Sequence, residues 1–167
     1  MSTEFDKSRF TVRIPVNASA EKIFKAWTTP AGLEYFFLRS AVFTSKDDDV
    51  RKADEAVQVG DSYRWMWWGY GDDTDEKGMV LEQNERDRFK FSFGKAGDVT
   101  VSIDNADGER IVTLTQENIP TDDKGFRDYY IGCKGGWTFY LANLKSVLEG
   151  GIDLRNRNEK IGEVISS

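Results

Sequence analysis

The sequence predicts an α+β fold in which a curved antiparallel sheet wraps around one long carboxy-terminal helix, with two short helices directly after the first strand. Three observations carry this expectation. Candidate strands with period-two alternation follow one another between residues 40 and 117, joined by short polar turns that suit antiparallel neighbours. Two brief helical stretches separate the first strand from that meander. The last apolar pattern is different in kind, with residues recurring at three- and four-residue steps.

The first strand runs from Arg9 to Asn17, where Phe10, Val12, Ile14 and Val16 alternate with Arg9, Thr11 and Arg13. Pro15 cannot donate to a ladder and places this strand at an edge. Ser19 suits an N-cap, its hydroxyl accepting from the first free amides of a helix that reaches about Thr28. Ile23, Phe24 and Trp27 form the apolar face of that helix, and Pro30 starts a second one carrying Leu33, Phe36 and Phe37.

Strands are then expected at Ser40–Thr44, Ser62–Trp68, Lys77–Gln83, Phe89–Phe93, Val99–Ile103 and Ile111–Glu117. The links Glu85–Asp87, Gly94–Gly97 and Asn105–Gly108 read as turns. Trp137, Tyr140, Leu141, Leu144, Val147 and Leu148 share one face of a final helix from about Gly125 to Glu149, ended by Gly150 and Gly151. At 1.5 Å per residue this helix is roughly 35 Å long. Gly132, Gly135 and Gly136 each cost about 1 kcal/mol relative to alanine inside it, so they should permit a close approach to the sheet or mark a bend. Residues 9–152 form the expected domain, flanked by tails 1–8 and 153–167, with the second tail polar and loosely held.

Composition narrows the function. With 167 residues, one core suffices. A net charge of -6, with acidic runs at Asp47, Asp48, Asp49 and at Asp72, Asp73, Asp75, Glu76, argues against nucleic acid and anionic membrane surfaces as partners, and the acidic loops read as solvated turns. No stretch is apolar enough to insert in a membrane, and Met1 to Ser8 has no apolar signal core, so a cytoplasmic location is expected. Histidine is absent and Cys133 is the single cysteine, which removes imidazole-based catalysis, an internal disulfide and paired zinc ligands. No metal, no cofactor and no catalytic residue is expected; Cys133 reads as a small apolar side chain inside the helix.

The stretch from Arg13 through Pro30, Arg-Ile-Pro-Val-Asn-Ala-Ser-Ala-Glu-Lys-Ile-Phe-Lys-Ala-Trp-Thr-Thr-Pro, followed by Gly32-Leu33, resembles the domain family named after the activator of the heat-shock protein 90 ATPase. So does the closing stretch from Gly136-Trp137 through Leu141 and Leu144 to Leu148-Glu149-Gly150. Together they span about Ser8 to Arg155. The resemblance implies a helix-grip fold of the START-like (SRPBCC) superfamily, which includes the birch-pollen allergen and the polyketide cyclases. It also implies a cavity between sheet and long helix. Many relatives carry a histidine near the end of the last strand, where this chain has Gln116 or Glu117.

Inward parity then supplies candidate ligand-binding residues. Because Arg64 should face solvent, Tyr63, Trp65 and Trp67 should face inside, together with Phe91, Phe93, Val101, Leu114, Gln116, Trp137, Tyr140 and Leu141. Each of these also suits a filled core; as a set rich in tryptophan and tyrosine, which need polar partners when buried, they fit a pocket edge. Gln116, Glu117 and Arg127 are expected at the cavity mouth, with solvated surface charge the favoured alternative for Glu117 and Arg127, and Trp68 and Tyr70 as either an exposed aromatic lip or plain surface packing.

Three functions follow. The first is non-catalytic binding of a small hydrophobic molecule. A chaperone-docking domain that alters an ATPase is the second, implied by the resemblance, although in the eukaryotic activator an additional amino-terminal region accompanies the domain. The third is a cofactor-free cyclase or hydrolase, for which no paired carboxylates are evident.

Overall fold

From residue 62 onward the alternating segments pair as an antiparallel meander because each joining loop is too short for a crossover, and the longer loop 45–61 also joins antiparallel neighbours. A computed structural model describes residues 4–165. The elements are β1 (Phe10–Pro15), α1 (Ala20–Thr28), α2 (Pro30–Phe36), β2 (Ser40–Thr44), β3 (Ser62–Met66), β4 (Asp75–Gln83), β5 (Arg88–Ser92), β6 (Asp98–Ala106), β7 (Glu109–Glu117), a π-helical segment (Gly125–Ile131) and α3 (Gly132–Leu148). The seven strands form one sheet in the order β1-β7-β6-β5-β4-β3-β2, so β1 is an edge strand, as Pro15 requires. Phe10 faces Gln116 and Pro15 faces Ile111 across the β1–β7 ladder.

The local chemistry explains the corners. Ser19 Oγ accepts from Lys22 N at 3.1 Å, and Thr29 Oγ1 accepts from Gly32 N at 3.0 Å with Pro30 in the first turn, so both short helices are capped. Gly32 is required where α2 crosses α1, because a Cβ there would lie 2.6 Å from the carbonyl oxygen of Ala26. Asp107 and Gly108, both with positive φ, make the tight connection between β6 and β7.

The concave face of the sheet holds Phe89, Phe91, Val99, Val101, Val112 and Leu114, all buried. Against them pack Leu141, Leu144 and Val147 of α3, as the helical periodicity predicts. Burying side chains of this size is worth about 1.5–3 kcal/mol each relative to exposure, which is what bends the sheet around the helix. From α1 and α2, Trp27, Leu33 and Phe36 close the remaining side. This is the helix-grip arrangement.

Four expectations need correction. The long helix is not uniformly α: its first turns, Gly125–Ile131, are π-helical. Gly135 and Gly136 do not allow a close approach, because a Cβ on either would meet nothing within 4 Å.

The segment after Ile152 is not loose at its start, since Arg155 is 6% exposed and its guanidinium donates to the carbonyls of Glu34, Tyr35 and Leu38 at 3.0 Å each. The same guanidinium pairs with Asp153 at 2.9 Å. Buried Asn143 of α3 joins them, donating to Phe36 O at 2.8 Å and Asp153 Oδ1 at 3.0 Å and accepting from Leu154 N at 2.7 Å. The carboxy end of α2, with its unpaired carbonyls, supplies the partners for this cation. Residues 1–3 and 166–167 of the expected tails lie outside the described residues.

The acidic loop between β2 and β3 is folded rather than merely solvated. Arg51 makes a two-pronged pair with buried Asp61 at 2.8 and 2.9 Å and reaches Glu55 at 2.9 Å, while Val57 is fully buried.

Candidate functional site: an aromatic cavity at one end of the grip

Where α3 begins, its side chains shrink and the sheet and helix part. Tyr129, Cys133, Gly136, Trp137 and Tyr140 recur at three- and four-residue steps, so they share one face, and that face fronts a cavity of about 500 Å³. Trp67 just beyond β3 and Phe93 just beyond β5 form the opposite wall, Phe37 closes it from the end of α2, and Tyr70 stands exposed at the rim.

The rings hold one another in place. Phe37 contacts Trp137, Tyr140 and Trp67 with centroids 4.9, 4.8 and 5.8 Å apart, and Phe93 lies 5.5 Å from Trp137. Trp137 is fixed further by a buried relay: its indole N–H donates to Gln116 Oε1 at 2.8 Å, and Gln116 Nε2 donates to Ala96 O at 2.9 Å. Gly97, between Ala96 and β6, has a positive φ and room for no Cβ, which would fall 2.0 Å from Glu117 O.

Four expected residues, Trp67, Phe93, Trp137 and Tyr140, are thus brought together on the cavity wall. Seven others stand behind it. Tyr63, Trp65, Phe91, Val101, Leu114 and Leu141 are buried in the filled core, with Trp65 stacked on Tyr63 at 3.9 Å and edge-on to Phe91 at 5.0 Å. Gln116 is also fully buried, so it serves Trp137 rather than the cavity mouth.

Glu117 and Arg127 do not line the cavity either; they pair with Lys90 at 3.9 Å and Asp128 at 3.1 Å. Trp68 lies under the Arg157 guanidinium at 5.1 Å, which leaves Tyr70 alone as an aromatic lip. Strand parity turns these side chains to the inner face, and the hollow occupies only one end of that face.

Glu76 and Asp128 are the acidic groups on the wall, and no lysine or arginine lines it. Sequence reasoning missed Glu76 by assigning it to an acidic turn. The available signal was the alternation Glu76, Gly78, Val80 against Lys77, Met79, Leu81, which puts Glu76 on the inner face directly across from Trp65. Burial pushes the Glu76 carboxyl above its ordinary range and the neighbouring charge of Asp75 adds to that, against one hydrogen bond from Lys77 N at 3.1 Å.

Asp128 has the opposite balance, lowered by hydrogen bonds from Lys124 and Arg127. Burial also pushes the Cys133 thiol up, which keeps it protonated and a poor nucleophile. Tyr140 is pushed up to about 12, again by burial. Among the described residues no cluster of three acidic or thiol groups could hold a metal ion, and no helix is long and apolar enough to cross a membrane. The cavity therefore presents aromatic rings, the Glu76 carboxyl, the ion-paired Asp128 and a protonated thiol.

The sequence model of the family described as "Activator of Hsp90 ATPase homolog 1-like protein" matches residues 17–149. The chain belongs to this family. A search of curated proteins finds no significant match. Among solved structures, a protein from Staphylococcus saprophyticus superposes with a TM-score of 0.67 at 22% identity, covering 88% of this chain and 96% of that one. The Aha1 dimer from Colwellia psychrerythraea gives 0.64 at 19% identity, covering 86% and 97%. A protein from Mesorhizobium loti gives 0.65 at 16%, covering 84% and 96%. At these identities the likeness is one of fold, and it agrees with the Hsp90-activator family's helix-grip architecture.

Proposed function

We propose that this protein binds a small hydrophobic molecule without transforming it, in the cavity between the glycine-bearing start of α3 and the ends of β3 and β5. The observation that carries this reading is the cavity itself: about 500 Å³, walled by rings that already support one another. Ligand pockets typically measure about 300 to 1,000 Å³ with mostly apolar walls and few polar groups. Trp67, Phe93, Trp137 and Tyr140 make the contacts, and Tyr63, Trp65, Phe91, Val101, Leu114, Gln116 and Leu141 hold those rings from behind.

A cytoplasmic location belongs to this proposal, in keeping with a single cysteine that forms no internal disulfide. The test is native mass spectrometry of the chain purified from its source, paired with titration of an apolar dye followed by tryptophan fluorescence. A copurifying small molecule that the dye displaces one-for-one supports the reading; saturating dye with no change in fluorescence and no stoichiometric binding refutes it.

Membership of the Hsp90-activator family supports a second reading, docking on a chaperone and changing its ATPase rate. An unchanged ATPase rate for the same organism's chaperone, measured across a titration of this protein, disposes of it.

A further inference from the structure

The cavity has a charge asymmetry that an indifferent apolar pocket would not need. The other acidic group on its wall is matched, Asp128 with Lys124 at 2.9 Å, and so are two acidic residues near Glu76 in the sequence, Asp75 with Arg64 at 2.6 Å and Asp72 with Arg39 at 2.7 Å. Glu76 is the exception. Its carboxylate accepts only the adjacent Lys77 N–H and has no cation partner among the described residues.

Space has been left for it: a Cβ on Gly94 would stand 2.5 Å from Glu76 Oε1, so the carboxylate lies against bare backbone next to Phe93. A carboxylate poorly hydrated among aromatic faces, with no arginine or lysine in the wall, is attractive to one kind of guest. Ring faces and carboxylate both favour a cation, the first through their quadrupoles and the second through its charge.

We infer that the ligand is a small cationic amphiphile, an apolar body carrying an amine or quaternary ammonium, whose nitrogen sits against Glu76 and the rings of Trp67, Phe93 and Trp137. This rests on the cavity being a ligand site and adds the charge of the occupant. The apolar body occupies the aromatic wall; the positive end meets the carboxylate that the fold leaves unpaired. Anions of the same shape are repelled by both Glu76 and the net charge of -6.

The test uses three probes of one length, octylamine, octanol and octanoate, titrated calorimetrically into the full chain and its Glu76→Gln variant near neutral pH. Charge pairing in a partly desolvated site predicts octylamine binding at least about tenfold tighter than octanol, with octanoate weakest. In Glu76→Gln the amine's advantage falls to within about twofold, while octanol still binds, showing that the variant cavity is intact. Equal affinities, or preference for octanoate, overturn the inference and leave the apolar-site reading standing. So does an amine preference that survives Glu76→Gln. Failure of all three probes to bind overturns both.

Discussion

The two halves of α3 lie on the same sheet and do opposite things. Toward its carboxy end, Leu141, Leu144 and Val147 fill the space to the strands, and Asn143, Asp153 and Arg155 seal the flank where α2 ends. Toward its amino end, Gly132 and Gly136 contribute no side chain to the same face, the winding changes to π, and a hollow remains. The difference lies in side-chain size and in helical winding. A helix that gives up about 1 kcal/mol per glycine relative to alanine, and that changes winding at its start, keeps open a volume that ordinary residues would fill.

The sharpest test of the closed half is Arg155→Ala. It removes a cation whose side chain is 1% exposed and strands the carbonyls of Glu34, Tyr35 and Leu38, while the Asp153 carboxylate keeps Arg157 and Asn143 as partners. Breaking a buried pair of this kind costs about 3–5 kcal/mol, read as a lower urea midpoint with an unchanged slope. Arg155→Lys should recover little, because one ammonium lacks the planar fork that reaches three carbonyls. A loss under about 1 kcal/mol would mean that the seal contributes nothing net.

Next in size is a matched pair of truncations. Leu144→Ala, at a fully buried position in the closed half, should cost about 2–5 kcal/mol because the space it vacates cannot collapse. Cys133→Ala in the open half removes a half-buried side chain that already borders a cavity, and should cost under about 1 kcal/mol. Comparable losses at the two sites would contradict the division of the helix.

Gly136→Leu reverses the sign. The built Cβ meets nothing within 4 Å, so the larger residue enters open space and removes a helix-interior glycine, for a gain of up to about 1 kcal/mol in stability. The same side chain occupies the hollow, so dye and amine binding should both disappear. A stabilised variant that still binds would place the ligand elsewhere, for instance in the separate groove of about 600 Å³ beside α1 lined by Phe24, Gln58 and Gln83.

What could be read in advance follows the same division. Period-two runs such as Phe89, Phe91, Phe93 and Val99, Val101, Ile103 report inward facing directly, so the strands and the meander were legible, as were the cap at Ser19 and the helix start at Pro30. The tertiary partners were not. Arg155 lies in a polar segment whose partners are backbone carbonyls more than a hundred residues earlier, and no local pattern announces such a contact. Glu76 was hidden by its neighbours: Asp72, Asp73 and Asp75 make it look like a solvated turn, whereas β4 begins at Asp75 and parity turns Glu76 inward. The extent of the hollow could not be read at all, because helical spacing is the same for a glycine that touches the sheet and one that faces a void.

The smallest expected effect separates the two halves by pH. At the open end, burial raises the Glu76 carboxyl, so its folded form holds a proton more tightly than the unfolded chain does. Stability from this group is present below the unfolded carboxyl range and is lost as pH rises through the folded value, leaving wild type slightly weakened at neutral pH. At the closed end, burial of Asp153 also acts upward, but the hydrogen bonds from Arg155 and Arg157 outweigh it and hold the group well below its ordinary range. Stability from Asp153 is therefore present above the unfolded range and lost on acidification. Glu76→Gln should accordingly melt slightly higher than wild type near neutral pH, with the difference shrinking toward zero below about pH 4, where an ordinary glutamate is protonated in the unfolded chain. Asp153→Asn should melt lower than wild type near neutral pH, its deficit narrowing as acid removes the same charge from wild type. If both variants shifted in the same direction at neutral pH, the unpaired carboxylate of the open end would be indistinguishable from the paired one of the closed end, and the contrast between the halves would fail where it is electrostatic.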